Sequence, residues 1–317
     1  MQTITDSDFI DFVGKQESQF IVRPSELLQA VKDRLAGNVA VSGDRLPWRK
    51  TEGLVALRSG EVSLWAGING HGKTLILGQV CAWALPSRWL IASMEMPPAA
   101  TMERMMRQMI GARNPSDYLV DDYMTYTDDK LWIYDQTDSV KPERILGMCW
   151  YAASHLKVAH VIIDSLVKCG IKNDDYNLQK DFVDRLCWLA KTTGLHVHLV
   201  HHIRKGDKEG NIPDKFDIRG AGELTDLVDN VFIVHRNKKK EDLIAKGEDV
   251  DAHVPDCVLK VAKQRHGEAE PAFNLWLHKD SMQFVPSPDD RPMFYPRKEA
   301  SAEDEAMAER IAIQEAG

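Results

Sequence analysis

No run of this 317-residue chain is apolar for long enough to span a bilayer, and no membrane partner is expected. The opening residues, MQTITDSDF, are polar and acidic, which excludes a secretory signal. Paired cysteines are lacking too. Cys81, Cys149, Cys169, Cys187 and Cys257 are scattered with no C-x-x-C spacing, so a zinc ribbon is excluded. Most lie in apolar runs and read as reduced core residues of an intracellular protein, placing the chain in the cytoplasm. An excess of positive charge is also missing: the formal net charge is −8, so a nucleic-acid site would have to come from local Lys and Arg clusters. There is no internal repeat and no low-complexity tract. The length suits one large α/β domain with appendages, or two small domains.

What the chain does have is a glycine-rich loop, Gly67-Ile68-Asn69-Gly70-His71-Gly72-Lys73-Thr74. It carries the full G-x-x-x-x-G-K-T spacing, follows an apolar strand-like run from Val62 to Ala66, and leads into a helix-like segment from Leu75 to Ala84. That setting is the one a phosphate-binding loop requires. Its glycines let successive backbone N–H groups turn inward around phosphates, and the helix N-terminus adds partial positive charge there. Lys73 is placed to reach the β- and γ-phosphates and Thr74 to hold Mg²⁺. Binding and hydrolysis of a nucleoside triphosphate is the expectation.

Around this loop, apolar runs alternate with helical patterns. Strands are predicted at Trp89–Ser93, Leu131–Tyr134, Val161–Asp164, His196–His201 and Val228–His235, with a terminal hairpin from Val258–Ala262 and Phe273–Leu277. Helices are predicted at Pro142–Lys157 and Asp181–Lys191. Another carries Met102, Met105, Met106, Met109 and Ile110 at helical spacing, a stripe that reads as core packing. Alternation of this kind indicates an α/β fold with a doubly wound, mostly parallel sheet. The organisation predicted is an N-terminal arm over residues 1–40, a nucleotide-binding domain over 41–286 and a mobile acidic tail over 287–317. In the arm, Pro24 or Ser25 opens a helix that stops at Gly37.

Hydrolysis needs a metal, a polarised water and positive charge at the transition state. Asp164 closes an apolar strand, as a Mg²⁺-holding carboxylate does. Its neighbour is Ser165, not Glu, so the base must come from elsewhere. Glu95, in Ser93-Met94-Glu95-Met96, directly follows the strand after the phosphate loop, and a parallel sheet directs that strand end into the same crevice. It is the candidate general base.

The second half of the chain adds Asp217-Ile218-Arg219-Gly220-Ala221-Gly222-Glu223-Leu224, then Thr225 to Val231, His235-Arg236-Asn237, and Lys263-Gln264-Arg265-His266-Gly267. With Ser93 to Met96 and Arg104, these motifs resemble the RecA-like motor domain of DnaB-like hexameric replicative helicases. The likeness is greatest to the helicase halves of phage primase–helicases and of the mitochondrial Twinkle helicase, and it spans roughly residues 45 to 285. The resemblance implies an ATP-driven DNA helicase encoded by a phage or similar replicon, acting in the host cytoplasm. It would form a homo-oligomeric, hexameric ring that moves 5′→3′ on single-stranded DNA. It implies that Lys73, Thr74 and Asp164 bind MgATP, that Glu95 is the catalytic carboxylate and that His202 senses the γ-phosphate. Lys263 and Arg265 would reach into the neighbouring subunit's site, where an arginine in trans meets charge building on the departing phosphoryl oxygens.

In the family, loops after the Asp164 and His202 strands face DNA. Here these are residues 168–177, with Lys168 and Lys172, and 204–219, with Arg204, Lys205, Lys208, Lys215 and Arg219. Such Lys-, Arg- and Gly-rich loops suit phosphate tracking without base reading, although Asp207, Glu209, Asp214 and Asp217 temper the charge. The run Arg236 to Lys240 reads as a surface turn. His196, His198, His201 and His202 are divided by strand alternation between two faces, so the cluster is not read as a metal site. The chain before the motor is too short for a helical collar or an attached primase, so a separate primase, polymerase or single-strand-binding protein is the expected company. Two other functions fit the same motifs: a RecA- or RadA-like recombination ATPase, and an ATP-gated loader or adaptor with little turnover.

Overall fold

The computed structural model describes residues 23–36, 43–172, 174–203, 212–218, 221–267 and 269–293. The chain divides into two units, residues 1–42 and 43–317. In the first, Pro24 opens a 3₁₀ turn, Pro24–Leu27, that runs into helix α1, Leu28–Leu35. The fixed φ of proline suits that position. Leu27, Leu28, Val31 and Leu35 of this segment are exposed.

In the second unit the apolar runs become β1 (Val62–Gly67), β2 (Trp89–Ser93), β3 (Leu131–Ile133), β4 (His160–Asp164), β5 (His196–His202), β6 (Asn230–Arg236), β7 (Cys257–Gln264), β8 (Ala272–His278) and β9 (Gln283–Val285). They form one nine-stranded sheet in the order β3-β2-β4-β5-β1-β6-β7-β8-β9. The strands from β3 to β6 in that order pair in parallel, and β7 to β9 are added antiparallel. The helices are α2 (Lys73–Trp83), α3 (Pro98–Ile110), α4 (Asp117–Thr127), α5 (Pro142–Tyr151), α6 (Tyr176–Thr193), α7 (Ala221–Leu227) and α8 (Lys238–Ala245). Among the described residues no helix is long and apolar enough to cross a membrane.

Strand β1 shows why the strands read as apolar runs. Val62, Leu64 and Ala66 join a cluster with residues of α5 and α6, while Trp65 joins another with residues of α2 and α3. A strand covered on both faces has no polar face to alternate with. This is the doubly wound sheet expected from the sequence. Met105, Met106, Met109 and Ile110 are buried in the second of those clusters, as the methionine stripe predicted. Because β1 lies between β5 and β6 while α2 carries the chain across to β2, strand order reverses beside β1, and a crevice opens there at the C-terminal strand ends.

Three elements escape the sequence pattern. Helix α4 begins at Ser116, whose hydroxyl accepts from the Leu119 N–H, but its polar sequence DYLVDDYMTYT shows no clean apolar stripe. Lys238 to Lys240, read as part of a surface turn, instead start α8. Asn237 caps it by accepting from the Lys240 N–H, and the Lys240 ammonium is buried on Asp256 (2.8 Å) and the Val254 carbonyl. Those partners lie far along the chain, so a local charge run could not reveal them. Strand β9 is short, and Gln79 of α2 fixes it: its side chain bonds both the N–H and the carbonyl of Phe284. Trp48 donates to the same carbonyl. Composition places a mobile tail from residue 287, yet the chain stays on the body as far as Met293, whose N–H and carbonyl both bond the Gln283 side chain. Residues 294–317 lie outside the described residues.

At the N-terminal strand ends sits a buried polar network. His196 and His198 are two residues apart and share a face, with ring centroids 4.5 Å apart, and His160 and Trp89 stack beside them. Trp65 can only donate, so its indole N–H fixes His198 Nδ1 as an acceptor. His198 Nε2–H then donates to His160 Nδ1 (3.2 Å), and His160 Nε2–H to Asp44 (2.7 Å). His196 donates to the Arg58 carbonyl and accepts from Ser63. All six ring nitrogens of these histidines are bonded. Burial, reinforced by the neighbouring imidazoles, lowers His198 well below the ordinary histidine range and His196 to about 3. Burial alone would raise the Asp44 carboxyl, but hydrogen bonds from His160 and Ser87 outweigh it and hold it low.

Candidate active site

The glycine-rich loop leaves the end of β1 and closes on the first turn of α2. Gly67 could be nothing else: a Cβ there would lie 2.6 Å from the Val234 carbonyl oxygen of β6. Gly72 has φ of 89°, a conformation L side chains avoid, and it delivers the chain into α2 at Lys73. The cradle is thus shaped by backbone, as a phosphate site requires.

A cleft of about 310 Å³ opens over it, lined by Asn69, Gly70, Gly72, Lys73, Thr74 and Leu75 of the loop and α2, and by Glu95, Arg104, Asp164 and His202. The Lys73 ammonium is buried and folded back onto the carbonyls of Gly67 (2.9 Å) and Ile68 (3.1 Å). Burial lowers it to about 8, against the pull of Asp164 and Glu95. The Thr74 hydroxyl donates to Asp164 at 2.5 Å. Burial raises the Asp164 carboxyl, the Thr74 bond opposing it. One hydroxyl and one carboxylate are hard oxygen donors that fit Mg²⁺, which takes few protein ligands and completes its shell with phosphates and water. Glu95 follows β2, exposed to the cleft, and the Ser165 hydroxyl donates to it at 3.0 Å. His202 ends β5 opposite Gly67 in the register.

Not every sequence-predicted residue meets here. The His71 ring is turned into the protein, accepting from the Arg236 N–H and edge-on to His235. Burial, then the His235 charge, lowers it to about 4. Only its backbone belongs to the loop. Lys263 and Arg265 lie outside the cleft of their own chain. Lys263 donates to the carbonyls of Thr225, Asp226 and Val228 at the C-terminus of α7, and burial, then the Arg265 charge, lowers its pKa. Arg265 donates to Asp226 and Leu227 and pairs with Asp229 at 3.0 Å, its side chain still 36% exposed.

Of the residues assigned to DNA, Lys168 ends a short 3₁₀ turn that follows β4, and Lys172 is exposed beyond it. Lys215 lies in another 3₁₀ turn, in a segment that returns to β5 through a bridge between Ile218 and Ile203. Both segments therefore leave the same sheet edge as the cleft. Arg204, Lys205, Lys208 and Arg219 lie outside the described residues.

Sequence reasoning gave no role to three residues that the fold brings to the site. Ser165 was noted only as the residue that is not Glu. Arg104 carried part of the family resemblance without a task. Arg236 was read as a turn residue, yet its guanidinium donates to the Gly70 carbonyl (3.0 Å) and pairs with Glu241.

Comparison with known proteins speaks to the family and the fold. The AAA domain family matches residues 24–208. The DNA helicase/primase of Enterobacteria phage T3 is 24% identical over 207 residues, which cover 57% of this chain and 36% of the relative. The chain thus spans about a third of the length of that curated relative. Among solved structures, a DnaB-like replicative helicase described with its interactions with primase superposes with a TM-score of 0.68 at 14% identity, over 87% of this chain and 71% of that one. A second solved structure, described as an ATPase domain, gives 0.69 at 16% identity, over 84% of this chain and 99% of that one. The fold is the RecA-like fold of DnaB-like ATPase domains.

Proposed function

The chain belongs to the AAA domain family, and from that premise we propose that it is an ATP-hydrolysing DNA helicase motor of the DnaB-like type. The observation that carries this reading is one cleft holding Lys73, Thr74, Asp164 and Glu95, at the sheet edge from which the Lys168 and Lys215 segments also leave. In this reading the loop amides bind the phosphates, and Lys73 moves from the Gly67 and Ile68 carbonyls to the β- and γ-oxygens. Thr74 and Asp164 hold Mg²⁺, which neutralises phosphate charge when bound. Glu95, oriented by Ser165, takes a proton from the attacking water. His202 reports the presence of the γ-phosphate to the segment that follows β5.

Copies of the chain assemble as a hexameric ring on single-stranded DNA and move 5′→3′. Arg265 of one subunit, anchored with Lys263 on α7, completes the site of the next. The Lys and Arg residues of 168–177 and 204–219 track DNA phosphates. ATP hydrolysis measured with and without single-stranded DNA, across protein concentrations that span assembly, tests the reading. Strong stimulation by DNA with a concentration threshold is expected. Hydrolysis indifferent to both would reject a translocating ring with shared sites.

A further inference from the structure

Asp229 lies in the run from Thr225 to Val231, and its carboxylate has no task in the chemistry above. Its side chain is only 3% exposed and pairs with the Arg265 guanidinium at 3.0 Å. The other carboxylate oxygen accepts from the Val62 N–H at 3.0 Å. The backbone repeats both links. The Asp229 N–H donates to the Val62 carbonyl at 2.9 Å, and the Arg265 N–H donates to the Asp229 carbonyl at 2.8 Å. One residue thus ties the start of β1 to Arg265 by main chain and side chain alike. A buried carboxylate is costly unless it is paired, and its partner here is a cation assigned to another subunit's site.

The sheet fixes where that guanidinium stands. In β7 the register shifts so that Val231 faces Lys263 and Phe232 faces Val261, which leaves Ala262 as a bulge. Bulges re-aim the side chains beside them. Beyond this one, Lys263 and Arg265 are two residues apart, share a face and meet the end of α7. Arg265 is bonded beside Val62, whereas the phosphate loop starts at Gly67. Five residues of strand separate the two, roughly 16 Å, so Arg265 stands far from the cleft of its own chain. Its Nη2 donates to the Asp226 and Leu227 carbonyls and its Nη1 faces Asp229. The Nε–H meets no acceptor among the described residues. The guanidinium is pinned through both Nη atoms and keeps a donor for a group outside this chain.

We propose that Asp229 is a positioning residue for hydrolysis at the neighbouring subunit's cleft, aiming Arg265 through an ion pair anchored on β1. The proposal rests on the reading that Arg265 acts in trans. A charge-assisted pair fixes a planar guanidinium in direction as well as place. Direction matters because a displacement of about 1 Å at a reacting centre can cost ~10²-fold in rate.

The test measures nucleotide binding and ATP hydrolysis by the full chain at concentrations that support assembly. Asp229→Asn keeps the shape and an acceptor for the Val62 N–H but removes the charge. We expect nucleotide affinity within about twofold and KM little changed, while kcat falls ~10²-fold. Added to Arg265→Ala, the substitution should lower hydrolysis no further. Mixed with Lys73→Ala subunits, which lend an intact Arg265, Asp229→Asn should regain activity as Arg265→Ala does. A structural role, or one in its own chain's cleft, gives no such recovery, since the cleft of the Asp229→Asn subunit would itself be defective. Asp229→Ser, whose hydroxyl can still accept from Val62, serves if the first variant fails to fold. An undiminished kcat, or no recovery where Arg265→Ala mixtures recover, would overturn the proposal. If Arg265→Ala mixtures recover at no ratio, the shared-site reading falls and the proposal with it.

Discussion

The two ends of the same parallel strands are built on opposite rules. At the N-terminal ends, His160, His196, His198, Trp65 and Asp44 form a buried network in which every histidine ring nitrogen has a partner. At the C-terminal ends, Lys73 rests on backbone carbonyls and Arg104 has no bonded partner among the described residues. Both ends hold polar groups within an apolar sheet. The first is closed and its hydrogen bonds serve the fold. The second is left open, with its charges lining a cleft. A satisfied network therefore marks structure, and a provisional one marks a site.

The comparison can be broken at either end. The largest effect is expected from Arg265→Ala, which removes the group proposed to complete a neighbouring subunit's cleft. Nucleotide binding should persist while hydrolysis falls by ~10³-fold or more. Mixing the variant with Lys73→Ala subunits should restore some activity at hybrid interfaces, and no recovery at any ratio would assign Arg265 to its α7 contacts alone.

At the closed end, His198→Leu leaves the Trp65 N–H and His160 Nδ1 unpaired in the core and should cost about 2–4 kcal/mol of stability. Nucleotide affinity should be unchanged, and a parallel fall in affinity would show that the two ends are coupled. The same network should make the fold acid-sensitive. His196 falls to about 3 when folded against 6.5 when free, so the unfolded chain binds more protons throughout that window. Stability is then flat above pH 6.5 and declines below it, by about 1.4 kcal/mol per pH unit for each such histidine. Denaturant midpoints that hold steady from pH 7 to 5 would contradict the neutral network.

The smallest effect is expected from Ser165→Ala, which frees Glu95 from its hydroxyl donor. kcat should fall by about tenfold with KM little changed. A change in KM alone would instead make Ser165 a binding group.

Much of the open end was legible because its chemistry is local. The phosphate loop, its lysine and threonine lie within one short segment, and the apolar strands that end at Asp164 and before Glu95 announce where those carboxylates emerge. The closed end was not legible. His160 lies far from His196 and His198 in sequence, and the network forms only because β4 and β5 pair with His160 opposite His196. For the same reason Lys240 read as part of a basic turn until Asp256 was brought to it, and Lys263 read as an outward-reaching cation until α7 offered its carbonyls.

By itself, then, the sequence determined the α/β class, the glycine-rich loop between β1 and α2 and the carboxylates at the strand ends, since backbone periodicity and glycine geometry act over a few residues. Only the tertiary structure decided which polar groups would be satisfied and which left waiting. Sheet register and the packing of α3 on α2 join residues that no spacing relates, and those contacts alone bond His198 on both sides while leaving Arg104 facing the cleft.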